Sequence, residues 1–270
     1  DHCRLPKDFA SLVYVSQLLQ AECVRTGVEF WRRTRQRTHG ALYWQLNDCW
    51  PVVSWSSIDY EGYWKALHYV ARRFNSPVLL SAESQGAAAT LYLTNDTVAD
   101  WRGTVRWSLE TLQGEVLQAG EETITAPQLA AVTVCELNFE EQIGQESTFP
   151  LQDAYRRDVV LVYELWQSDR RLHIGLMPFV PDKHLALTDP GLSVTVEEAA
   201  HGFEIIVSAE QAARFVWLAL EGAGPTVIFS DNAFDLPAGR RVTITLPAMA
   251  GWSAGRVRQA LQVRSLVDSL

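Results

Sequence analysis

Beyond Pro77 the apolar residues fall into short runs with a period of two. "PVLLSAE", "ATLYLTN", "GTVRWSLET", "LAAVTVCEL", "VVLVYELW" and "RLHIGLM" alternate or nearly so, with Gly, Asn, Asp and Gln between them. A period of two puts every second side chain on one face of a strand. Strands about 8–12 residues apart with turn residues between them predict an antiparallel sandwich. Residues 178–191, "PFVPDKHLALTDPG", are proline-rich and lack periodicity, and read as a linker. The alternation then resumes in "LSVTVEE", "FEIIVSA", "RFVWLALE", "TVIFS", "RVTITL" and "ALQVRSL", predicting a second, smaller sandwich. The expected boundaries are 79–180 and 181–270.

Residues 1–78 follow another rhythm. Phe9, Leu12, Val13, Leu19, Cys23, Phe30 and Trp31 recur at three- and four-residue spacing and predict one helix over 6–38. Pro6 suits its first turn, and the basic run at 32–37 suits the negative end of its dipole. "ALYWQL" (41–46) reads as a strand buried on both faces. A long loop over 47–62 follows, and helical spacing returns over 63–74. Helix, buried strand, loop, helix is the order of an α/β barrel.

Residues 40–69 hold four of the ten tryptophans and four tyrosines, with Asn47, Asp48 and Asp59 among them. A hexose presents a C–H face that an aromatic ring covers and a hydroxyl edge that amides and carboxylates bind. Trp44, Asn47, Asp48 and Trp50 are the candidate sugar contacts. Trp44 leads because it lies near the C-terminal end of the predicted strand, the end at which barrel enzymes build their sites. Asp48 reads equally as a cap on the following turn. Trp55, Asp59 and Tyr60 read as packing residues, and His68 as a residue of the second helix.

The run "YWQLNDCWP", followed by "SWSSIDY" and "WKALHY", resembles the end of the catalytic barrel of β-mannosidases in glycoside hydrolase family two. "YVSQLLQAECVRTGVEFWRR" resembles the helix before it. "PFVPDKHLALTDPG" and "IFSDNAFDLPAG" resemble the join between the family's two C-terminal immunoglobulin-like domains and a motif of the last one. The resemblance implies the C-terminal portion of a (β/α)8 barrel over 1–78, then immunoglobulin-like sandwiches over 79–180 and 181–270. It implies exo-acting, retaining hydrolysis of terminal β-mannose, with β-mannoside glycans as partners and with no cofactor.

Retaining glycosidases need two carboxylates about 5–5.5 Å apart. The family carries its acid/base in an Asn-Glu pair and its nucleophile ahead of the helix with which this chain opens. No Asn-Glu pair occurs here, and residues 1–78 offer only Glu22, Glu29 and Glu61. The expectation is therefore no catalytic residue in this chain, both glutamates upstream, and the missing N-terminal part of the same protein as a partner. The alternatives are a non-catalytic carbohydrate-binding or structural sandwich module, and a related family-two hydrolase such as an exo-β-glucosaminidase or β-galactosidase.

The formal charge of −9 would repel a phosphate backbone, so no nucleic-acid partner is expected. No run approaches about 18 apolar residues, so no membrane span is expected. Cys3, Cys23, Cys49 and Cys135 form no CxxC pair and read as free thiols. With no signal peptide legible at the N-terminus, a cytoplasmic bacterial protein is the expectation. "NDT" at Asn95 has the form of a glycosylation acceptor. Asp231, Asn232 and Asp235 offer hard oxygens but lack the spacing of a calcium loop, and read as an Asx-stabilised turn rather than a metal site.

Overall fold

The computed structural model describes residues 3–144 and 154–270. Five helices occur among them: α1 (Phe9–Arg33), α2 (Ala66–Phe74), α3 (Glu140–Ile143), α4 (Ala154–Arg157) and α5 (Ala254–Ala260). Thirteen strands follow α2: β1 (Val78–Gln85), β2 (Ala88–Asn95), β3 (Trp101–Thr111), β4 (Val116–Ala126), β5 (Ala130–Asn138), β6 (Val159–Gln167), β7 (Arg170–Pro178), β8 (Ser193–Ala199), β9 (Gly202–Ser208), β10 (Ala213–Leu220), β11 (Phe234–Leu236), β12 (Arg241–Pro247) and β13 (Leu261–Arg264). The chain divides into two compact units. One contains Arg25–Ala41 and Arg73–Leu187, with the segment ending at Arg4; the other contains Leu5–Val24, Leu42–Arg72 and Thr188–Leu270.

In the first unit, β1-β2-β5 and β4-β3-β6-β7 form two antiparallel sheets. The alternation read from sequence is the reason. Trp101, Val105 and Leu109 of β3 point inward with Leu161 and Leu165 of β6, and meet Leu91 and Leu93 of β2 in one buried cluster. Gly120 faces Trp107 across the β3–β4 pair. A Cβ there would lie 2.5 Å from the indole, so only glycine lets the ring lie flat on the sheet. Within the same unit Arg32 donates to the carbonyl of Ser76 at 2.8 Å and to Asp96 at 2.8 Å.

In the second unit the sheets are β12-β9-β8 and β11-β10-β13. Ile205 and Val207 of β9, Ile244 and Leu246 of β12, and Val216 and Leu218 of β10 fill the core. Tyr69 of α2 and Val257 of α5 belong to the same cluster. Gly202 opens β9 at φ +146, and a Cβ there would sit 2.1 Å from the carbonyl oxygen of Leu246. Glycine alone fits that approach. The Tyr14 hydroxyl of α1 donates to the Phe215 carbonyl at 2.5 Å, and the Arg264 guanidinium lies 3.8 Å over its ring.

Several predicted elements are corrected. No strand forms over 41–46: Leu42 is fully exposed and Leu46 largely so. A strand buried on both faces needs a neighbour on each side, and among the described residues this segment has no bridge, the nearest being Asn47 to Ile58 just beyond it. The described residues ahead of β1 thus hold helices and a loop without a strand. "TVIFS" is likewise not a strand, whereas β4 and α5 form where none was predicted. Residues 178–191, read as a linker, run across the boundary between the two units. Leu185 is fully buried, a 3-10 turn spans Asp182–His184, and Arg157 donates to the His184 carbonyl at 2.6 Å.

Candidate functional site

The aromatic segment lies in the second unit and is built on its own backbone. Asn47 pairs in parallel with Ile58, and Ile58 pairs antiparallel with Trp64. The Asp48 amide donates to Ile58 O at 3.0 Å, Ile58 N to Leu46 O at 2.9 Å, and Lys65 N to Ser57 O at 2.9 Å. These bonds close a loop over 48–58 whose two ends lie side by side. The Gln20 side chain of α1 donates to Trp55 O at 2.6 Å and fixes the far side of that loop.

The loop stands on a buried polar floor. Both carboxylate oxygens of Asp48 are occupied: Oδ1 accepts from the Ser54 hydroxyl, and Oδ2 from Lys65 Nζ at 3.0 Å. The Asp48 and Lys65 side chains are 2% and 12% exposed. The Ser54 hydroxyl, with the Ser56 hydroxyl and the Lys65 ammonium beside it, holds the Asp48 carboxyl below its ordinary range against the opposing effect of burial. Next to it Ser57, fully buried, donates to Leu46 O at 2.9 Å. Its single proton is thereby spent, so the 2.9 Å contact to His68 Nδ1 is an N–H donated by the imidazole. Burial, and then the Arg72 charge, lower the His68 pKa and keep the ring neutral. Tyr43 completes the group with a 3.2 Å hydroxyl contact to Ser57.

Above this floor the rings face outward. Trp44 is 73% exposed, Trp50 62% and Trp55 61%. The Trp44–Gln45 peptide is cis. Asn47 is exposed and donates its amide to Asp48 O at 3.1 Å. Of the candidate contacts, Trp44, Asn47 and Trp50 therefore lie at the surface, whereas Asp48 lies beneath it with both oxygens engaged. Trp55 and Tyr60, read as packing residues, are exposed in this chain. Asp59 accepts from Tyr63 N at 2.8 Å and closes the next turn. The sequence reading missed Lys65, Ser54, Ser56 and Ser57. No sequence signal marked them, because Lys65 meets Ser56 and Asp48 across nine and 17 residues.

Flat indoles beside an amide can cover and orient a sugar; they cannot cleave it. Glu22 and Glu29 lie in α1, seven residues apart, a helical rise of about 10 Å, well beyond the span of a retaining pair. Glu29 is buried and pairs with Arg25 at 3.2 Å. Glu61 is exposed in a turn. Among the described residues no group of three or more His, Cys, Asp or Glu side chains is arranged to hold a metal ion. Asp231 Oδ1 accepts from Asn232 N at 2.8 Å and Asn232 Oδ1 from Ala233 N at 3.0 Å, each one residue on rather than the two residues of the expected Asx turn, so these side chains brace the bend locally. The four cysteines are free thiols.

Comparisons with known proteins concur on the origin of these elements. Residues 87–184 match the profile of a mannosidase Ig/CBM-like domain, and residues 187–269 that of an Ig-fold domain of mannosidases. A β-mannosidase of Capra hircus is 31% identical over 99% of this chain and 32% of its own length. β-Mannosidase A of Aspergillus terreus is 30% identical over 97% of this chain and 29% of its own. The chain thus spans about a third of the length of the relatives it matches. The crystal structure of a β-D-mannosidase from Dictyoglomus thermophilum superposes with a TM-score of 0.85 at 25% identity, over 98% of this chain and 31% of that one. An exo-chitosanase of Amycolatopsis orientalis shares the fold, with a TM-score of 0.67 at 17% identity, over 93% of this chain and 33% of its own.

Proposed function

The chain belongs to the β-mannosidases of glycoside hydrolase family two as their C-terminal part, and from that membership we propose that the whole protein removes terminal β-D-mannose from glycans. In this reading residues 1–78 complete a (β/α)8 barrel whose formed strands, and both reacting glutamates, belong to polypeptide ahead of residue 1. The reaction retains configuration: one carboxyl protonates the leaving oxygen, the other attacks the anomeric carbon, and water releases the mannose. Trp44 stacks on the C–H face of the mannose and excludes water. Asn47 and Trp50 border the same pocket, and Asp48 holds the loop that carries them.

The observation that carries this reading is the exposed Trp44 above a buried, fully engaged polar floor. An indole that is 73% exposed, near the largely exposed Trp50 in sequence, leaves its face available to a sugar ring. Other exposed apolar residues support the barrel. Leu5, Phe9, Leu42 and Val53 of the same unit are largely or fully exposed, as expected of surfaces that a further part of the protein covers. Relatives three times as long have the polypeptide to supply one.

The test is hydrolysis of a panel of aryl β-glycosides by the full-length protein. The expected result is a kcat/KM for the mannoside at least about tenfold above that for the glucosaminide, galactoside and glucoside, a preference of about 1.4 kcal/mol or more in transition-state binding. Preference for the glucosaminide would make the protein an exo-β-glucosaminidase of the same family. Mannose binding by the 270-residue chain alone, with no turnover by the full-length protein, would make it a binding module.

A further inference from the structure

The Trp50 loop closes through an ammonium at its neck. Lys65 Nζ donates to Asp48 Oδ2 at 3.0 Å, to Ser56 Oγ at 2.8 Å and to Ser54 O at 3.5 Å, which accounts for all three of its protons. The three acceptors come from both arms of the loop: Asp48 from the outgoing strand of chain, Ser54 and Ser56 from the returning one. Ser54 reaches the second Asp48 oxygen, and Ser54 Oγ also accepts from Ser56 N at 3.1 Å. Lys65 itself is tied down, its N–H donating to Ser57 O at 2.9 Å, and the Ala66 N–H that follows it donates to the Gln17 side-chain oxygen of α1 at 3.3 Å.

A buried ion pair adds little net stability compared with apolar residues of the same shape. What it supplies is direction, because a three-pronged donor fits one arrangement of acceptors. We infer that Lys65 is a positioning residue of the sugar site: its ammonium locks both arms of loop 48–58 and so sets where Asn47 and Trp50 stand. The inference rests on the reading that this loop borders the mannose pocket. It adds a residue beneath the pocket that touches no sugar and governs affinity through the loop.

Two measurements test it. The first is hydrogen exchange of the 270-residue chain with Lys65 replaced. In K65M the amides of Asp48, Ser57 and Ile58 are expected to exchange at least about tenfold faster, a local opening eased by about 1.4 kcal/mol. Strands β6 and β9 should keep their protection. Unchanged loop exchange in K65M, or loosening of β6 and β9 equal to that of the loop, overturns the lock. The second is mannoside kinetics of the full-length protein. K65M is expected to raise KM about tenfold with kcat within about threefold, the pattern of lost binding rather than lost chemistry. Loosened exchange with unchanged KM overturns the positioning role. A wild-type protein inactive on every mannoside would refute the hydrolase reading itself, and hydrogen exchange would still decide the lock.

Discussion

Asn232 clasps Leu218 at both ends: its Oδ1 accepts from the Leu218 N–H at 2.8 Å, and its Nδ2 donates to the Leu218 carbonyl at 2.8 Å. Both residues are buried, so one side chain does for β10 what a neighbouring strand would otherwise do. Replacing Asn232 by Ala leaves both backbone groups without that partner, at an expected cost of about 2–4 kcal/mol. N232D buries a carboxylate against the Leu218 carbonyl, and should cost at least as much as N232A. Urea titration checks this: the midpoint should drop while the slope stays constant.

Asn95 occupies a sequon and is unavailable to it. Its Nδ2 donates to Ala99 O at 2.9 Å and to Ala126 O at 3.1 Å, and its Oδ1 accepts from Thr97 N at 3.0 Å. The side chain is fully buried. Expression through a glycosylating host should yield folded, soluble chain with unmodified Asn95, as peptide mass spectrometry would read. A glycan on Asn95 in folded material would contradict the burial.

His173 should make the first unit acid-sensitive. Burial above all, with the Arg73 and Arg25 charges, pushes its pKa down to about 3, below the ordinary 6.5. The unfolded chain therefore binds a proton between those values that the folded chain refuses, and stability falls as pH drops below 6.5. At pH 5.5 the expected loss from this residue is roughly 1 kcal/mol. Urea midpoints at pH 7.5 and 5.5 should differ by less in H173L than in wild type.

Trp44 should separate activity from stability. An indole this exposed contributes little to folding, so W44A should melt within about 1 °C of the wild-type chain. In the full-length protein the same change should lower kcat/KM for an aryl β-mannoside at least about tenfold. A large loss of stability with no loss of activity would place the ring in a core.

The sandwiches were legible because alternation is a direct imprint of one face on the core. Val105 and Leu109 alternate with residues that point away from it, and β3 formed as read. β4 was not legible because "VLQAGEETITA" is exposed along most of its length and carries no apolar stripe to betray it. "TVIFS" misled in the opposite way: it is apolar, yet Phe229 is buried from an irregular backbone with Ser230 bonded to Thr245. Local pattern reports burial, and only partners make a strand. The same rule explains 41–46, whose apolar residues have no strand beside them among the described residues. Within the site, composition pointed to the aromatic loop. Lys65 stayed hidden because its contacts lie 9 to 17 residues away, at no fixed period.

Turnover of an aryl β-mannoside by the 270-residue chain, set beside turnover by the full-length protein, tests the central claim most directly. On the proposed function the chain contributes a wall of the mannose site and neither reacting carboxyl, so the full-length protein should cleave the substrate and the chain alone should leave it intact. Cleavage by the isolated chain at a rate near that of the full-length protein would contradict it.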